Sequence, residues 1–433
     1  MIDRNLLMHG HEETTRQLSR RGVDPALLDE VREIIAQRKA LVTIESTLRG
    51  DLNRQSKAIG GLMREGKKDE AEAAKSAVAE IKAAIQANEE GLSTLETRLK
   101  EHLLVIPNIP HADAPDGKGE EDNVLVRTED YAEGSYGDVP PHWDIADALG
   151  LLDGERGAKL SGAMFTLLRG DGARLLRALV AFGLDLNRDR YEEIVAPHFV
   201  RRDVFTGTGH LPKFAQDAYH IEDDDLWAIP TGEVPLMGMY QGEILEEADL
   251  PIRLMTHTSC FRREAGAAGK DTRGMQRLHE FHKVELVKLC TQDQVEAEYQ
   301  GMLGDVENML KALELPYRVL DLCVGDMSAS AERTFDFEVY SPGVDKWLEV
   351  SSVGRFSNYQ TRRGSIRYRP EEGGKPAFPH AMNGSGLATP RIWAALLEHG
   401  WEPEHQRVRL PEALVPYMGK AYVEATGRVR PTA

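Results

Sequence analysis

Two arginines, two glutamates and a phenylalanine between residues 262 and 285 are of types that suit the binding of a nucleotide. At the two-residue period of a β-strand, Arg262 and Glu264 share one face of a first segment. Arg277, Phe281 and Glu285 share one face of a second segment. A guanidinium group is always charged and forks onto paired phosphate oxygens, and a phenylalanine ring can stack on a base. This stretch is therefore a candidate site for a polyphosphate nucleotide.

The opposite face of the second segment is apolar, because Leu278, Val284 and Leu286 alternate with its polar residues. The pattern predicts two strands with one side toward a core and the other toward a ligand. Residues 265–275 between them are rich in Gly, Ala and charge, which predicts a loop that can close over a substrate. A solvated hairpin with surface charges fits the same string. The residues alone leave both interpretations open.

Length and composition predict a water-soluble protein of two domains. The chain has 433 residues, of which 41% are hydrophobic and 29% charged. We find no apolar run of membrane-spanning length and no apolar core of a signal peptide near the first residues, so we expect a cytoplasmic protein with no membrane partner. Cys260, Cys290 and Cys323 are widely scattered, so neither a disulfide framework nor a zinc site is expected.

A long helical hairpin is predicted near the start of the chain. Apolar residues repeat in alternating three- and four-residue steps along Leu27–Leu62 and again along Ala74–His102, which is typical of a coiled coil. Asp24 and Pro25 suit the start of the first helix. Glycine and charged residues at 60–69 interrupt the pattern. We therefore expect two antiparallel helices of about 35 to 40 residues each, or on the order of 55 Å.

The purpose of such a hairpin is ambiguous from its pattern, because a spacer or a dimerisation coiled coil has the same seam. The formal net charge of −18 argues against indiscriminate nucleic-acid binding. Residues 26–102 are nearly balanced, with 13 Lys and Arg against 14 Asp and Glu. The hairpin is therefore the part of the chain that repels RNA least.

The full string Thr258–Val287 resembles motif 2 of the class II aminoacyl-tRNA synthetases, and specifically of the seryl-tRNA synthetases. Further segments resemble that family in the family's order: Ile229–Leu236 (IPTGEVPL), Glu349–Arg363 (EVSSVGRFSNYQTRR) and Asn383–Leu397 (NGSGLATPRIWAALL). Glu193–Pro197 resembles the motif 1 strand, where Pro197 would lie at the family's dimer interface. With the hairpin, the resemblance covers nearly the whole chain.

The resemblance implies an α+β fold with an N-terminal antiparallel coiled-coil hairpin. A class II synthetase catalytic domain follows, with a mainly antiparallel sheet flanked by helices. The implied boundaries are residues 1–105 for the tRNA-binding domain with its arm, 106–122 for a linker and 123–433 for the catalytic domain. It also implies a homodimer in which the arm of one subunit serves the active site of the other.

The resemblance further implies an ATP site. Arg262 would contact the α-phosphate, Glu264 the adenine amino group and Phe281 the ring. Arg277 and Arg391 would hold the outer phosphates, and Arg262 and Arg391 would be the catalytic residues. The implied ATP-binding residues are Arg262, Arg263, Glu264, Arg277, Phe281, Glu349, Val350, Ser351, Ser352 and Arg391.

Two features of this implied site have arguments of their own. Arg391 follows a Gly-rich loop at the start of an apolar helix, with Thr389 as the expected cap and Pro390 in the first turn. The start of a helix favours anion binding, so this position suits a phosphate group. Glu349 and Ser352 would hold Mg²⁺ with ATP, because carboxylate and hydroxyl oxygens suit this ion. Their spacing of three places them on opposite faces of a regular strand, so a bulge or strand end is needed.

The serine site implied by the resemblance combines carboxylates with hydroxyl groups. Two carboxylates suit an ammonium group, and Thr231 and Ser385 can hydrogen-bond a small hydroxyl. A site built this way rejects analogues that lack the hydroxyl, because its own polar groups would stay unpaired. The implied serine-binding residues are Thr231, Gly232, Glu233, Arg262, Glu285 and Ser385.

Three departures from the family pattern affect the surroundings of the site. Gly354-Arg355 stands where the family more often has Ser-Asn, and Glu280 stands where Gln is usual. Met237-Gly238 follows the TxE segment atypically. These departures put in doubt the packing around ATP and serine, and sensitivity to inhibitors, more than the class of reaction.

We therefore expect a serine–tRNA ligase that makes seryl-adenylate from L-serine and ATP with Mg²⁺ and transfers serine to tRNA(Ser), with tRNA(Sec) as a second candidate acceptor. One alternative is a paralogue that charges serine or another small amino acid for a specialised pathway, a carrier protein or inhibitor resistance. Another is a catalytically inactive RNA-binding protein. The complete arm argues against the carrier-protein alternative, and the matched arginines and glutamates argue against inactivity.

Overall fold

The structure is a computed structural model and describes residues 1–9, 11–265 and 273–425. Most of the loop predicted to close over a substrate, residues 266–272, therefore lies outside the described residues. The chain divides into two compact units, Ile2–Pro107 and Asn108–Ala433, and Met1 belongs to the second. None of the described helices combines the length and the apolar character that crossing a membrane requires.

The helices account for all of the first unit's regular structure and for one layer of the second. Among the described residues the α-helices are α1 (Arg4–Met8), α2 (His11–Arg20), α3 (Pro25–Arg64), α4 (Lys68–Val105), α5 (His142–Leu149), α6 (Gly154–Ser161), α7 (Asp171–Asn187), α8 (Arg202–Gly207), α9 (Glu233–Gly238), α10 (Val295–Ala312), α11 (Tyr359–Arg363), α12 (Thr389–His399) and α13 (Val415–Met418).

All strands belong to the second unit. They are β1 (Val124–Glu129), β2 (Glu192–Glu193), β3 (Phe199–Arg201), β4 (His220–Ile221), β5 (Leu226–Ala228), β6 (Ile244–Glu246), β7 (Ile252–Phe261), β8 (Glu280–Cys290), β9 (Tyr317–Asp321), β10 (Arg333–Ser341), β11 (Lys346–Ser357), β12 (Arg367–Arg369), β13 (His380–Ala388), β14 (Trp401–Glu402), β15 (Arg407–Arg409) and β16 (Tyr422–Glu424).

The first unit is built on the predicted helical hairpin. Helix α3 has 40 residues and α4 has 38, so each is about 60 Å long. Asp24 caps α3 by accepting a hydrogen bond from the Ala26 amide, and Pro25 occupies the first turn as predicted. The turn between the helices lies at Glu65–Lys67, whereas the Gly60-Gly61 pair remains inside α3.

Polar residues along the seam join the two helices. Arg38 pairs with Glu96 at 2.8 Å and Arg49 pairs with Glu89 at 3.0 Å, each across the hairpin. The buried Asn88 donates a hydrogen bond from Nδ2 to the Leu41 carbonyl at 3.1 Å. A buried amide needs this partner, so it favours one register of α3 against α4.

The second unit is organised around an eight-stranded sheet with the order β1-β9-β10-β11-β13-β8-β7-β2. All neighbours are antiparallel except β2 and β7, which are parallel. Of the segment Glu193–Pro197 that resembles the motif 1 strand, only Glu193 lies in a strand, at the end of β2, and Val195 is 92% exposed. The expected α+β fold with a mainly antiparallel sheet is confirmed.

Helices α7, α10 and α12 cover one face of this sheet. Leu179 of α7, Met302 of α10 and Trp393 of α12 are fully buried in one continuous apolar cluster. Val284 and Leu286 of β8 point into the same cluster, as their alternation predicts. The opposite face of the central strands is therefore left for the polar residues of the candidate site.

Candidate active site

The site is built on the β7–β8 hairpin, but the strands are shorter than the two-residue period predicts. Strand β7 ends at Phe261 and β8 begins at Glu280. Arg262 is still held by a hydrogen bond from its amide to the His279 carbonyl at 2.9 Å. Glu264 has a φ of 51°, a left-handed conformation that breaks strand alternation. Placing Arg262, Glu264 and Arg277 on strand faces was therefore wrong.

A cavity of about 200 Å³ nevertheless brings most of the candidate residues together. Its walls come from the ends of β7 and β8, from β11, from β13 and from the start of α12. It is lined by Arg262, Glu264, Gln276, Arg277, Leu278, Phe281, Lys283, Glu349, Val350, Ser385, Ala388, Pro390 and Arg391.

A second cavity of about 290 Å³ is larger and shares Leu278, Phe281 and Pro390 with the first. Its remaining walls are mostly apolar, with Phe165 and Leu168 among them. A triphosphate needs cationic walls, and the arginines line the smaller cavity. The smaller cavity is therefore the candidate nucleotide site.

The arginines of this cavity contact its carboxylates and its aromatic ring. The Arg277 Nη1 atom lies 2.8 Å from Glu264 Oε2, so the two side chains form an ion pair. The Arg262 guanidinium lies 5.2 Å from the centre of the Phe281 ring, within cation–π range. Arg262 also donates from Nε to the Pro230 carbonyl at 3.4 Å. These contacts hold the arginines at the cavity wall.

Arg391 joins three elements at the start of α12. Its Nη1 donates to the Glu349 carbonyl at 2.6 Å, and its Nε donates to the Gln276 carbonyl at 3.1 Å. Pro390 is in the first turn as expected, but the cap is Ala388. The Thr389 hydroxyl instead donates to the His282 carbonyl at 2.9 Å, so the prediction that Thr389 caps the helix was wrong.

The bulge that Glu349 and Ser352 require is present in β11. Phe337 pairs with Ser351 and Glu338 pairs with Glu349, so Val350 is an extra residue on β11. The bulge shifts the alternation by one residue, so Glu349 and Ser352 face the same side.

The donor set around this bulge fits Mg²⁺. Asp336 lies opposite Ser352 on β10, and its Oδ1 atom is buried without a hydrogen-bond partner. Burial and the nearby Glu349 raise the pKa of Asp336. Glu349 is half exposed, so its carboxylate can reach a bound ligand. Within the described residues, no group of three or more His, Cys, Asp or Glu converges as a metal site.

The residues implied for serine form a buried polar cluster at the base of the hairpin. The Thr231 hydroxyl donates to Glu285 Oε2 at 2.8 Å and accepts from Lys283 Nζ at 3.0 Å. Lys283 also forms an ion pair with Glu285, and the two side chains are 8% and 2% exposed. Gly232 permits the close approach, because a Cβ there would lie 2.9 Å from Glu285 Cβ.

Glu233 is the other carboxylate of the cluster. It accepts a hydrogen bond from Gln360 Nε2 and is almost fully buried. Burial first, and the nearby Glu285 carboxylate second, raise the pKa of Glu233 to about 7. Glu233 therefore changes between its neutral and its ionised form close to neutral pH.

Three of the remaining candidate residues, Ser351, Ser385 and Val350, lie in the cavity wall or hydrogen-bond to it. Ser351 is buried and donates from Oγ to the Ser385 carbonyl at 2.7 Å, which ties β11 to β13. Ser385 and Val350 line the cavity. Arg263 is not among the lining residues, and its amide donates to the Asp217 carbonyl at 2.7 Å.

The departures from the family pattern lie in the packing around the cavity. Arg355 pairs with Glu332 and Glu296. Gly354 leaves room for the Phe356 ring, which a Cβ would approach to 2.7 Å.

Of the other two departures, packing explains Met237-Gly238 and does not explain Glu280. Met237 is buried in an apolar cluster. A Cβ at Gly238 would lie 2.4 Å from a Val204 methyl group. Glu280 is exposed and lines the larger cavity.

Sequence reasoning missed five residues of the cavity wall, namely Gln276, Leu278, Lys283, Ala388 and Pro390. Lys283 carries the most information, because it is a buried cation between two candidate serine ligands. Its position in the two-residue period, between Phe281 and Glu285, could have indicated that it faces the site.

Two family descriptions match this chain. Residues 1–110 match the seryl-tRNA synthetase N-terminal domain, and residues 217–400 match the tRNA synthetase class II core domain shared by enzymes for G, H, P, S and T.

Curated relatives are similar over nearly the full length. A serine–tRNA ligase of Thermomicrobium roseum is 44% identical, over 97% of this chain and 94% of the relative. A serine–tRNA ligase of Geobacter sulfurreducens is 43% identical, over 97% of this chain and 99% of the relative.

A solved structure extends this similarity to three dimensions. The seryl-tRNA synthetase of Pyrococcus horikoshii complexed with ATP has a TM-score of 0.92 and 32% identity, covering 98% of this chain and 100% of that one. The helical hairpin, the antiparallel sheet with one parallel edge and the arginine-lined cavity are thus found together in a chain of matching length and sequence. This chain belongs to the seryl-tRNA synthetase family.

Proposed function

We propose that this protein activates L-serine with ATP and transfers the serine to the 3′ end of tRNA(Ser). The observation that carries the proposal is the cavity in which Arg262, Arg277 and Arg391 converge with Glu264 and Phe281. Full-length similarity to serine–tRNA ligases supports the choice of amino acid. Transfer to tRNA(Sec) belongs to the same proposal, because it needs no other site for the amino acid.

The proposed reaction requires the enzyme to position serine and ATP and to compensate the negative charge of the phosphates. The serine carboxylate attacks the α-phosphate of ATP in line with the leaving pyrophosphate, so no protein nucleophile is required. Arg262 is proposed to stabilise the charge that develops at the α-phosphate. Arg277 and Arg391 are proposed to hold the outer phosphates, which requires Arg277 to share or leave its ion pair with Glu264.

The adenine site is proposed at Phe281 and Glu264. The ring offers a flat surface, and the carboxylate can accept a hydrogen bond from the exocyclic amine. Val350 lines the cavity, and Arg263 and Ser351 are proposed to support the nucleotide site from positions next to its wall.

Glu349 and Ser352 are proposed as protein ligands of Mg²⁺, with Asp336 behind them. These residues would hold Mg²⁺ beside the nucleotide, where the ion would supply positive charge to offset that of the phosphates. The chain's own contribution is the Val350 bulge, which turns both ligands to one side of β11.

Serine is proposed to bind at the base of the hairpin. The carboxylates of Glu233 and Glu285 suit its ammonium group, and Thr231 and Ser385 suit its hydroxyl. Alanine lacks the hydroxyl and would leave these groups unpaired, so it should be rejected strongly.

The remaining proposals concern the whole enzyme. We propose residues 1–105 as the tRNA-binding domain, 106–122 as a linker and 123–433 as the catalytic domain. We also propose a homodimer formed near Pro197 and a cytoplasmic location. The exposed Val195 beside Pro197 supports an interface at this edge.

The test is ATP–pyrophosphate exchange with a panel of amino acids. Serine-dependent exchange, followed by charging of tRNA(Ser), is the expected result. Preference for alanine or glycine would contradict the substrate, and absence of exchange with every amino acid would contradict the enzyme activity.

A further inference from the structure

Lys283 is a buried cation for which neither the family resemblance nor the comparisons supply a role. It lies on β8 two residues before Glu285, so both side chains project from the same face of the strand. An unpaired ammonium group at this depth would be strongly unfavourable, so its partners decide what it does. In the described residues those partners are Thr231 and Glu285.

The three groups form a closed arrangement with fixed donor and acceptor roles. A lysine can only donate, so the Thr231 oxygen must accept from Lys283. The single hydroxyl proton of Thr231 is then directed to Glu285 Oε2. Lys283 donates to that carboxylate as well, so it fixes both the Thr231 rotor and the Glu285 side chain.

We infer that Lys283 is a positioning residue for the amino acid, which holds Thr231 and Glu285 in the arrangement that receives serine. The inference rests on the proposed function and deepens it. With Thr231 and Lys283 on Oε2, the Oε1 atom of Glu285 is presented to the substrate. The geometry also compensates the charge of Glu285 inside the protein, so Glu233 is the carboxylate left to pair with the serine ammonium.

The charged groups around Lys283 and Glu285 support these separate roles of Glu285 and Glu233. Glu233, Cys260, His210 and Arg262 are the other titratable groups near the pair in the described part of the chain. Burial raises the pKa of the Cys260 thiol and lowers the pKa of His210 to about 3, so both are neutral near pH 7. Arg262 and Lys283 both line the nucleotide cavity, and of the two it is Lys283 that contacts Thr231 and Glu285. Lys283 is therefore the cation directed at the serine-binding carboxylates.

Strand β8 supplies a matched control in Lys288. This second lysine is also buried and also pairs with a glutamate, Glu298 of α10, at 3.1 Å. It lies five residues further along the strand and does not line the candidate cavity. Removing Lys283 takes away the cation that pairs with the buried Glu285, whereas Glu298 keeps Arg253 as a second partner when Lys288 is removed. Both changes remove a buried ion pair, so both should lower stability. A role in serine binding predicts a difference between them.

The experiment compares Lys283→Met with Lys288→Met by ATP–pyrophosphate exchange and by thermal unfolding with and without serine. For Lys283→Met we expect the KM for serine to rise by roughly 100-fold or more, as for other broken buried charge pairs, while the KM for ATP stays within about threefold. The serine-induced rise in Tm should disappear. Lys288→Met should leave both KM values within about threefold.

Lys283→Arg keeps the charge and provides a folded variant if the methionine variant does not fold. A guanidinium is wider than an ammonium and would displace Thr231 and Glu285, so we expect the serine KM to rise about tenfold with little change for ATP. An unchanged serine KM in a folded Lys283 variant, or equal changes for serine and ATP, would overturn the inference. If the unmodified enzyme showed no serine-dependent exchange, the proposed function itself would fail.

Discussion

At the scale of single residues, the proposed site requires two arginines to change their partners when a nucleotide binds. Arg277 is paired with Glu264 and Arg391 lies 3.7 Å from Glu349. A nucleotide offers these arginines stronger partners, because charge-assisted bonds to phosphate are bidentate. Arg262 is held by a long bond to a carbonyl and by the Phe281 ring, so it is already free to meet the α-phosphate.

Replacing Arg262 tests the charge at the reacting phosphate. Arg262→Ala should lower kcat/KM for serine-dependent ATP–pyrophosphate exchange by about 100-fold or more, as for other preorganised electrostatic groups. The side chain lies at a cavity wall, so the Tm should change little. Exchange within a few-fold of the unmodified protein would contradict the motif 2 assignment.

Glu233 gives the site a pH dependence whose sign follows from its raised pKa of about 7. Below pH 7 the carboxyl is neutral and cannot pair with the serine ammonium. We therefore expect the KM for serine to rise as the pH falls from 8 to 6, with the KM for ATP much less affected. A serine KM that does not change over this interval would contradict the role of Glu233.

The same group should affect stability in the opposite direction. Its folded pKa of about 7 exceeds the ordinary value of 4.5, so its favourable contribution is complete below pH 4.5 and is lost as the pH rises through 7. Glu233→Gln removes this loss and should stabilise the protein at pH 8 by about 3 kcal/mol. Urea unfolding at pH 5 and pH 8 measures the difference. Equal effects at both pH values would contradict the assigned shift.

At the scale of elements, patterns that repeat over many residues could be predicted from the sequence, whereas the features at the ends of helices and strands could not. The seam of α3 and α4 extends over many turns, so the hairpin and its cap at Asp24 followed from the sequence. The ends of β7 and β8 could not be predicted from the sequence, because the left-handed Glu264 and the segment before Glu280 depend on tertiary contacts. The Thr389 hydroxyl likewise bonds β8 in place of the helix end.

The need for a bulge was predictable because Glu349 and Ser352 are three residues apart. Its place at Val350 was not, because pairing with β10 decides which residue is extra. Lys283 was missed because a lysine on a strand is more often exposed than buried.

The arm offers several unpaired basic residues as candidates for binding the phosphates of tRNA. Of the basic residues on its helices, Arg38, Arg49, Arg54 and Lys75 are paired with acidic side chains of the arm itself. Lys39, Lys57 and Lys82 are exposed, and within the described residues they form no ion pair. A lysine that has no acidic partner in the protein contributes most to binding affinity when it contacts a phosphate, because it has no ion pair to give up.

The triple change Lys39→Ala, Lys57→Ala and Lys82→Ala should raise the KM for tRNA without changing serine-dependent exchange. The slope of log affinity against log salt should fall by roughly one for each phosphate that a lysine no longer neutralises. The same salt titration on a variant with Arg54 and Lys75 changed to Ala is the control, and it should show a smaller effect. If the two variants behaved alike, tRNA binding would not depend on unpaired lysines.

At the scale of the whole molecule, the two units divide the two steps of the proposed reaction. Every residue proposed for ATP and serine lies beyond position 230, in the second unit. The hairpin extends about 60 Å and has little core of its own. Its polar seam keeps the two helices in register, which suits an element that must hold its shape along its whole length.

Replacing Pro25–His102 with a short Gly/Ser linker should therefore separate the half-reactions. Serine-dependent exchange should largely survive, and charging of tRNA(Ser) should collapse. Because the arm of one subunit is expected to serve the active site of the other, a mixed dimer of an armless subunit and an Arg262→Ala subunit should regain part of the charging. The intact arm and the intact active site then lie on different chains. An armless protein that charges tRNA at near-normal efficiency would contradict the role of the arm and favour a spacer.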